Sequence, residues 1–222
     1  MQVTEGAEQL AHGRPAVERW LSWSGLVPLP AFLALHLARE LTWAFGSDVS
    51  DLVRPAPSAL SQVTSWLLVW LPLLVHAGLG VFFLLSGRPM TTLSADVPPL
   101  SRLLSRVSGA LALVFIAYHA RTYALSVWLA EADARDASFR LLAELSSTKL
   151  GVPAVGGVYL LGLLATVTHA GLGVHRALAA EGVLATPARR QASARACAGF
   201  GVVLFGVGAA AVIRVATGVL LR

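Results

Sequence analysis

Long apolar segments alternate with short polar segments along this chain. The clearest runs from Leu67 to Leu85, where 19 consecutive positions carry no charge. About 20 apolar residues in a helix cross a bilayer core of about 30 Å, so such a segment is typical of a transmembrane helix. Five segments of this kind follow one another, at 20–45, 59–87, 102–131, 151–180 and 192–220. The pattern predicts an all-α membrane protein, a five-transmembrane-helix bundle that forms a single domain over residues 1–222.

The connections between the spans are marked by clusters of Pro, Gly and polar residues. They cover residues 46–57, 87–99, 131–149 and 182–191. In the third connection apolar residues recur at helical spacing from Phe139 to Leu145, which predicts a short helix at the membrane surface. Residues 1–19 are polar and lack the apolar run of a signal peptide, so we expect the first span to remain in the mature protein.

Composition agrees with a membrane location. Of the 222 residues, 56% are hydrophobic and 13% are charged, and the mean hydropathy is +0.69, whereas soluble domains are about a quarter charged. The net charge of +5 reflects an excess of Lys and Arg. In a membrane protein such an excess is expected in the cytoplasmic loops, so it does not indicate a nucleic-acid-binding surface. With the N-terminus inside, nine basic residues fall on the inner side and five on the outer side. This bias predicts a cytoplasmic N-terminus and an external C-terminus.

Each of the first four spans contains one histidine, and the fifth contains none. The four are His36, His76, His119 and His169. A histidine in the hydrocarbon core is costly and is seldom present without a function. A haem held between helices takes axial ligands from facing helices, and neutral imidazole is suited to this. The set predicts two haems b between the first four helices, bound non-covalently, because the single cysteine, Cys197, excludes a CxxCH attachment.

An internal repeat relates the first two spans to the next two. The six residues from His76 to Val81 read His-Ala-Gly-Leu-Gly-Val, and the same six begin at His169. A Ser-Gly pair precedes His36 in the first span and His119 in the third. Repeats in membrane folds tend to place a shared site at their interface. The repeat therefore makes His36 equivalent to His119, and His76 equivalent to His169.

Depth in the membrane indicates the same pairs independently. At 1.5 Å per residue, His36 and His119 lie about 24 and 25 Å from the inner ends of their spans. The spans that contain His76 and His169 cross the membrane in the opposite direction. These two histidines lie about 18 and 10 Å from the inner side. We therefore expect His36 and His119 to ligate the iron of an outer haem, and His76 and His169 that of an inner haem.

Small and basic residues close to the histidines are typical of a haem environment. Gly80 and Gly173 follow their histidines at i+4, on the same helical face, where a flat porphyrin would press against the backbone. Haem propionates are anions and need cations or donors nearby. The expected partners are Arg39 and Arg121 for the outer haem, and Arg106 and Arg176 for the inner haem.

These features together resemble a known family, the five-helix, two-haem cytochrome b subunits of succinate:quinone oxidoreductases. Those subunits are the membrane anchors of succinate dehydrogenase and fumarate reductase. The resemblance runs from about Trp20 to the end of the fifth span and rests on five spans with one histidine in each of the first four. It is sharpened by three short motifs: His169-x-x-x-Gly173-x-x-Arg176, Ser108-Gly109 ahead of His119, and Tyr118-His119-x-Arg121.

The resemblance implies a place in a larger complex. It implies that a flavoprotein subunit and an iron–sulfur subunit dock on the cytoplasmic side of a bacterial inner (plasma) membrane. Electrons from succinate would then pass through the inner and outer haems to a quinone. Two-haem anchors without a second anchor chain usually serve menaquinone. The chain has no visible centre for succinate chemistry, so alone it is expected to be inactive on succinate.

Two further expectations concern the quinone and the direction of the reaction. Glu40, Arg39 and Trp43 are the acid, base and ring nearest the outer haem, and form a candidate quinol pocket. Some family members that reduce fumarate carry a glutamate two residues before the fourth histidine. Here that position is Val167, which favours succinate oxidation.

Two alternative functions remain open from the sequence. The chain could be the cytochrome b subunit of a hydrogenase or formate dehydrogenase, although those often place more than one ligand on one helix. It could also be a haem-free, proton-coupled transporter in which the histidines relay protons. The copurifying subunits would identify the first alternative, and a colourless protein would indicate the second.

Overall fold

The computed structural model describes residues 15–26, 28–45, 59–87, 98–129, 134–148 and 151–217. Within these residues the regular elements are helices. They are α1 (Ala16–Leu26), α2 (Pro28–Phe45), α3 (Ala59–Ser65), α4 (Leu71–Ser86), α5 (Pro99–Ala120), α6 (Ser126–Trp128), α7 (Ala134–Ser146), α8 (Ala154–Ala180) and α9 (Pro187–Ala216). A π-helical turn, Trp66–Trp70, joins α3 to α4, and a second, Arg121–Leu125, joins α5 to α6.

Within the described residues, five helical segments are long and apolar enough to cross a membrane, which confirms the predicted all-α fold with five spans. They are Ala16–Glu40, Gln62–Ser86, Pro99–Trp128, Ala154–Ala180 and Pro187–Ala216. We refer to them as the first to fifth spans. Their order and number match the prediction, and the differences lie at their ends.

The fifth span begins five residues before its predicted start at 192. Thr186 caps α9 by accepting a hydrogen bond from the Arg189 backbone N–H, and Pro187 occupies the first turn. Proline is favoured there because its missing N–H would have no partner in the helix. Hydropathy marks only the apolar part of such a helix, so the polar first turns fell outside the predicted span. Pro99 extends the third span in the same way.

The predicted short helix in the third connection is present and is longer than expected. It is α7, and its Leu145 is buried against Tyr159 at the start of α8 and Val215 at the end of α9. Helix α7 therefore covers the end of the bundle where the fourth span begins and the fifth span ends.

The fourth span is the centre of the bundle. It packs along the third and fifth spans, and the first span packs against the fifth. Leu37, Leu163, Val167 and Leu204 form one core cluster that joins the first, fourth and fifth spans. The second span packs chiefly on α1, and many of its leucines are exposed. Exposed leucine on such a helix is expected to face lipid.

Glycines let these helices approach closely. A Cβ atom on Gly208 would lie 2.6 Å from a methyl group of Leu163, and one on Gly162 would lie 2.1 Å from the Phe115 ring. Small residues at helix contacts are typical of membrane bundles, where close packing stabilises association.

Candidate functional site: two histidine pairs

The four histidines of the first four spans meet as two pairs. The ring centroids of His76 and His169 are 6.0 Å apart, and those of His36 and His119 are 5.9 Å apart. These are the two pairs that the repeat and the depth indicated. Gly109 contacts the His169 ring, and His119 lies ten residues further along α5, so the pairs are separated along the bundle by about 15 Å.

The His76 ring is held by the beginning of the first span. Its Nδ1 lies 3.1 Å from the Leu21 carbonyl oxygen, and the Ser24 hydroxyl donates to the same oxygen at 3.1 Å. A carbonyl oxygen can only accept, so Nδ1 carries the proton and Nε2 keeps its lone pair. A Cβ atom on Gly25 would lie 2.6 Å from this ring. The ring therefore occupies space that exists only because residue 25 is glycine.

The third span holds His169 in the same way. Its Nδ1 lies 3.2 Å from the Ser105 carbonyl oxygen, and the Ser108 hydroxyl donates to that oxygen at 3.3 Å. A Cβ atom on Gly109 would lie 2.8 Å from the ring. The carbonyl, the serine and the glycine stand at the same mutual spacing as in the first span. The repeat seen in the sequence is thus also a repeat of contacts.

The His36–His119 pair has different surroundings. His36 Nδ1 lies 3.5 Å from a carboxylate oxygen of Glu40, one turn further along α2. His119 Nδ1 lies 3.2 Å from the hydroxyl of Tyr159, a buried residue of the fourth span. Each ring also stacks on a phenylalanine four residues before it: Phe32 at 5.3 Å and Phe115 at 5.9 Å between ring centroids.

Two glycines on the same helical faces as His76 and His169 border open space. A Cβ atom on Gly80 or Gly173, the two positions predicted to lie beside a porphyrin, would meet no other atom within 4 Å. In contrast, a Cβ atom on Gly171 would lie 3.4 Å from the Cys197 carbonyl oxygen of α9. Gly171 therefore serves contact with the fifth span, while the glycines at i+4 border open space.

The predicted basic partners differ in their surroundings. Arg176 is half-buried and its guanidinium donates to both the backbone carbonyl and the hydroxyl of Ser101, in the first turn of α5. Arg39, Arg106 and Arg121 are exposed. Arg176 thus ties the fourth span to the third near the His76–His169 pair.

The predicted quinol pocket is only partly visible. Glu40 lies beside His36, and Arg39 lies one residue earlier on α2. The backbone of Trp43 belongs to α2, but its side chain lies outside the described part of the chain.

Several contacting residues were not foreseen from the sequence: the Leu21 and Ser105 carbonyls, Phe32, Phe115 and Tyr159. A signal for two of them was present, because a phenylalanine precedes the histidine by four residues in both the first and the third span. The Ser-Gly pairs were visible as a repeat. Each Ser-Gly pair contacts the histidine of the following span and not the histidine of its own span. This contact is shown by the structure and could not be predicted from the sequence.

Within the described residues, no group of three or more His, Cys, Asp or Glu side chains gathers in a metal-binding cluster.

The chain is similar to a known protein. The chain is 24% identical over 174 residues to the succinate dehydrogenase cytochrome b558 subunit of Bacillus subtilis (strain 168), and the match covers 76% of this chain and 81% of that protein. The likeness supports the cytochrome b family of succinate:quinone oxidoreductases. No protein-family profile matches the chain. No solved structure matches it either.

Proposed function

We propose that this chain is the cytochrome b membrane anchor of a succinate dehydrogenase and binds two haems b. In this role it passes electrons between a docked dehydrogenase and membrane quinone. The observation that carries the proposal is the spacing of the histidine rings within each pair. A metal–nitrogen bond to imidazole is about 2.0 Å long and the nitrogen lies about 1.1 Å from the ring centre. Two imidazoles on one iron therefore have centroids about 6.2 Å apart. Separations of 6.0 and 5.9 Å fit this value.

The chemistry of the donors also fits haem iron. In the His76–His169 pair, both Nδ1 atoms are directed to backbone carbonyls, so each Nε2 is left as a neutral donor for the metal. A haem bound there supplies reversible one-electron transfer at its iron. The porphyrin supplies the other four nitrogen donors, so a pair of histidines per haem is sufficient.

The chain's own residues have five tasks in this proposal. The histidines hold the iron, with His76 and His169 for the inner haem and His36 and His119 for the outer haem. Gly80 and Gly173 leave space on the ligand face. The apolar helices keep water away. The proposed propionate partners are Arg176 and Arg106 for the inner haem, and Arg39 and Arg121 for the outer haem. Arg39, Glu40 and Trp43 remain the proposed quinol pocket.

The proposal extends to the partners and the membrane. The Bacillus relative is named a subunit of succinate dehydrogenase, so we assign to this chain a flavoprotein partner and an iron–sulfur partner. Menaquinone is the proposed electron acceptor, and a bacterial inner membrane the proposed location, with a cytoplasmic N-terminus. Succinate oxidation takes place in the partner subunits, and this chain carries no succinate chemistry.

The decisive experiment is succinate-dependent reduction of the purified complex. Adding succinate to the oxidised complex should reduce the b-type absorbance, and a menaquinone analogue should reoxidise it. A complex that contains a nickel or molybdenum subunit and is reduced by hydrogen or formate would contradict the proposal. It would show that the chain is the cytochrome b subunit of a hydrogenase or formate dehydrogenase.

Filling the open space beside the ligands should expel haem. Replacing Gly80 by leucine places a bulky side chain on the His76 face, where an added Cβ atom would meet no neighbouring atom within 4 Å. We expect loss of one of the two haems, measured as haem per chain. Gly78→Leu is the matched control, because residue 78 also borders open space but lies on another face of the helix, at i+2. Equal haem content in the two variants would contradict the proposed haem position.

A further inference from the structure

The four histidine contacts at Nδ1 are not equivalent. Three of these contacts are with neutral groups: the carbonyls of Leu21 and Ser105 and the hydroxyl of Tyr159. The fourth, of His36, is with the carboxylate of Glu40 at 3.5 Å. An acidic group therefore lies beside Nδ1 of one histidine of the His36–His119 pair, within the part of the chain that the structure describes.

The internal repeat makes this difference informative. His36 and His119 are 83 positions apart, so the residue equivalent to Glu40 in the third span is Tyr123. His76 and His169 are 93 positions apart, so the residue equivalent to Tyr159 in the second span is Trp66. At the His76–His169 pair the two halves supply the same contacts to the histidine ring: a backbone carbonyl, a serine and a glycine. At the His36–His119 pair they differ, because the group that contacts Nδ1 is Glu40 in the first half and Tyr159 in the second.

Local geometry directs Glu40 toward the ligand. Residues at i and i+4 lie on the same helical face, and the Glu40 carboxylate reaches Nδ1 of His36 at 3.5 Å. Phe32, one turn before His36, stacks on the ring with planes only 9° apart. Stacking restricts the tilt of the imidazole, and the carboxylate restricts its rotation. The ring is thus held on both sides by residues of its own helix.

We propose that Glu40 is the positioning residue of His36 and that its carboxylate lowers the midpoint potential of the haem ligated by His36 and His119. This inference rests on the proposed function. An acceptor on the second nitrogen fixes ring orientation and raises ligand basicity, and second-sphere hydrogen bonding is one of the ways a protein adjusts a haem potential. A negative acceptor increases electron donation to the iron and so stabilises its ferric state. The carbonyls on His76 and His169 do so less, because they carry no net charge.

The test is a redox titration of Glu40→Gln in the intact complex. Glutamine keeps the shape and an acceptor oxygen but removes the charge. At a fixed ambient potential we expect the ferrous-to-ferric ratio of the His36–His119 haem to rise about tenfold, which is about 59 mV for a one-electron couple. The His76–His169 haem should titrate as before. Tyr159→Phe, which removes a neutral hydrogen-bond partner from His119, should produce a smaller shift in the potential of the same haem.

Glu144→Gln is the matched charge control. Glu144 contacts the hydroxyl of Tyr118, next to His119 in sequence, at 3.3 Å, so the variant removes a negative charge near the same pair without touching a ligand. If it shifts the potential as much as Glu40→Gln, the effect is long-range charge and the positioning role is wrong. An unchanged potential in Glu40→Gln, with both haems retained, also overturns it.

Haem content separates the remaining outcomes. Selective loss of one haem in Glu40→Gln, with retention in Glu40→Asp, supports the role, since the shorter carboxylate can still serve His36. Loss of both haems in Glu40→Asp contradicts it. A raised KM for quinol at an unchanged potential would leave Glu40 with its proposed quinol-pocket role alone and would overturn the positioning role. Absence of two haems in the unmodified complex would refute the proposed function itself, so the two failures are distinguishable.

Discussion

Replacing Gly25 by alanine should remove the haem that we propose His76 and His169 hold, and leave the other proposed haem in place. The new Cβ would lie 2.6 Å from the His76 ring, a distance that forces the ring away from the Leu21 carbonyl. An imidazole displaced in this way cannot direct Nε2 to the same point, and precise orientation of a ligand is what its second contact provides. Haem per chain should fall by half, measured by the b-type absorbance of the purified complex.

The repeat supplies an independent copy of this test. Gly109→Ala would place a Cβ atom 2.8 Å from the His169 ring and should remove the same haem, because His169 is the second proposed ligand of that haem. Gly199→Ala is the control, since its Cβ would meet nothing within 4 Å. If Gly25→Ala and Gly109→Ala bind as much haem as Gly199→Ala, the proposed contacts do not support haem binding.

Single histidine replacements should fall into two spectral classes. His76→Ala and His169→Ala should each remove one haem. Both variants should lack the same absorbance band and the same redox transition. His36→Ala and His119→Ala should each remove the other haem. The reason is that each ring lies beside the ring of one other histidine of the set, at 6.0 and 5.9 Å. An iron bound by both histidines of a pair would no longer be held between the helices once either was removed.

The grouping of the variants is the informative readout here. His175→Ala is the matched control, because His175 contacts the Ser193 hydroxyl of α9 at 3.1 Å and belongs to neither pair. It should retain both haems. A different grouping, such as His36 with His76, would show that the pairing read from the repeat is wrong.

The fold could be predicted from the sequence because hydropathy alone determines which segments are long enough to span a bilayer. Helix ends were less predictable. Helix α9 begins at Pro187, after the N-cap residue Thr186. The first turns of this helix are polar, so a hydropathy pattern does not indicate where it begins. Helix α7 was recognised from Phe139 to Leu145, but its first turn is polar and gave no such signal.

The histidine pairs could be predicted because a repeat and a depth estimate indicate the same partners. The groups that orient the rings could not, since the contacts of His76 with Leu21 and of His169 with Ser105 join residues 55 and 64 positions apart. Such contacts depend on how neighbouring helices are rotated, which periodicity does not specify. The Glu40 contact is local, at i+4, and could in principle be read from the sequence.

The most direct test is the haem content of the purified chain, prepared from cells supplied with ample haem. We expect two haems b per chain and a reduced-minus-oxidised spectrum of low-spin iron with two histidine ligands. A colourless protein, or a spectrum without that signature, would contradict the assignment of the two histidine pairs and favour the haem-free alternative.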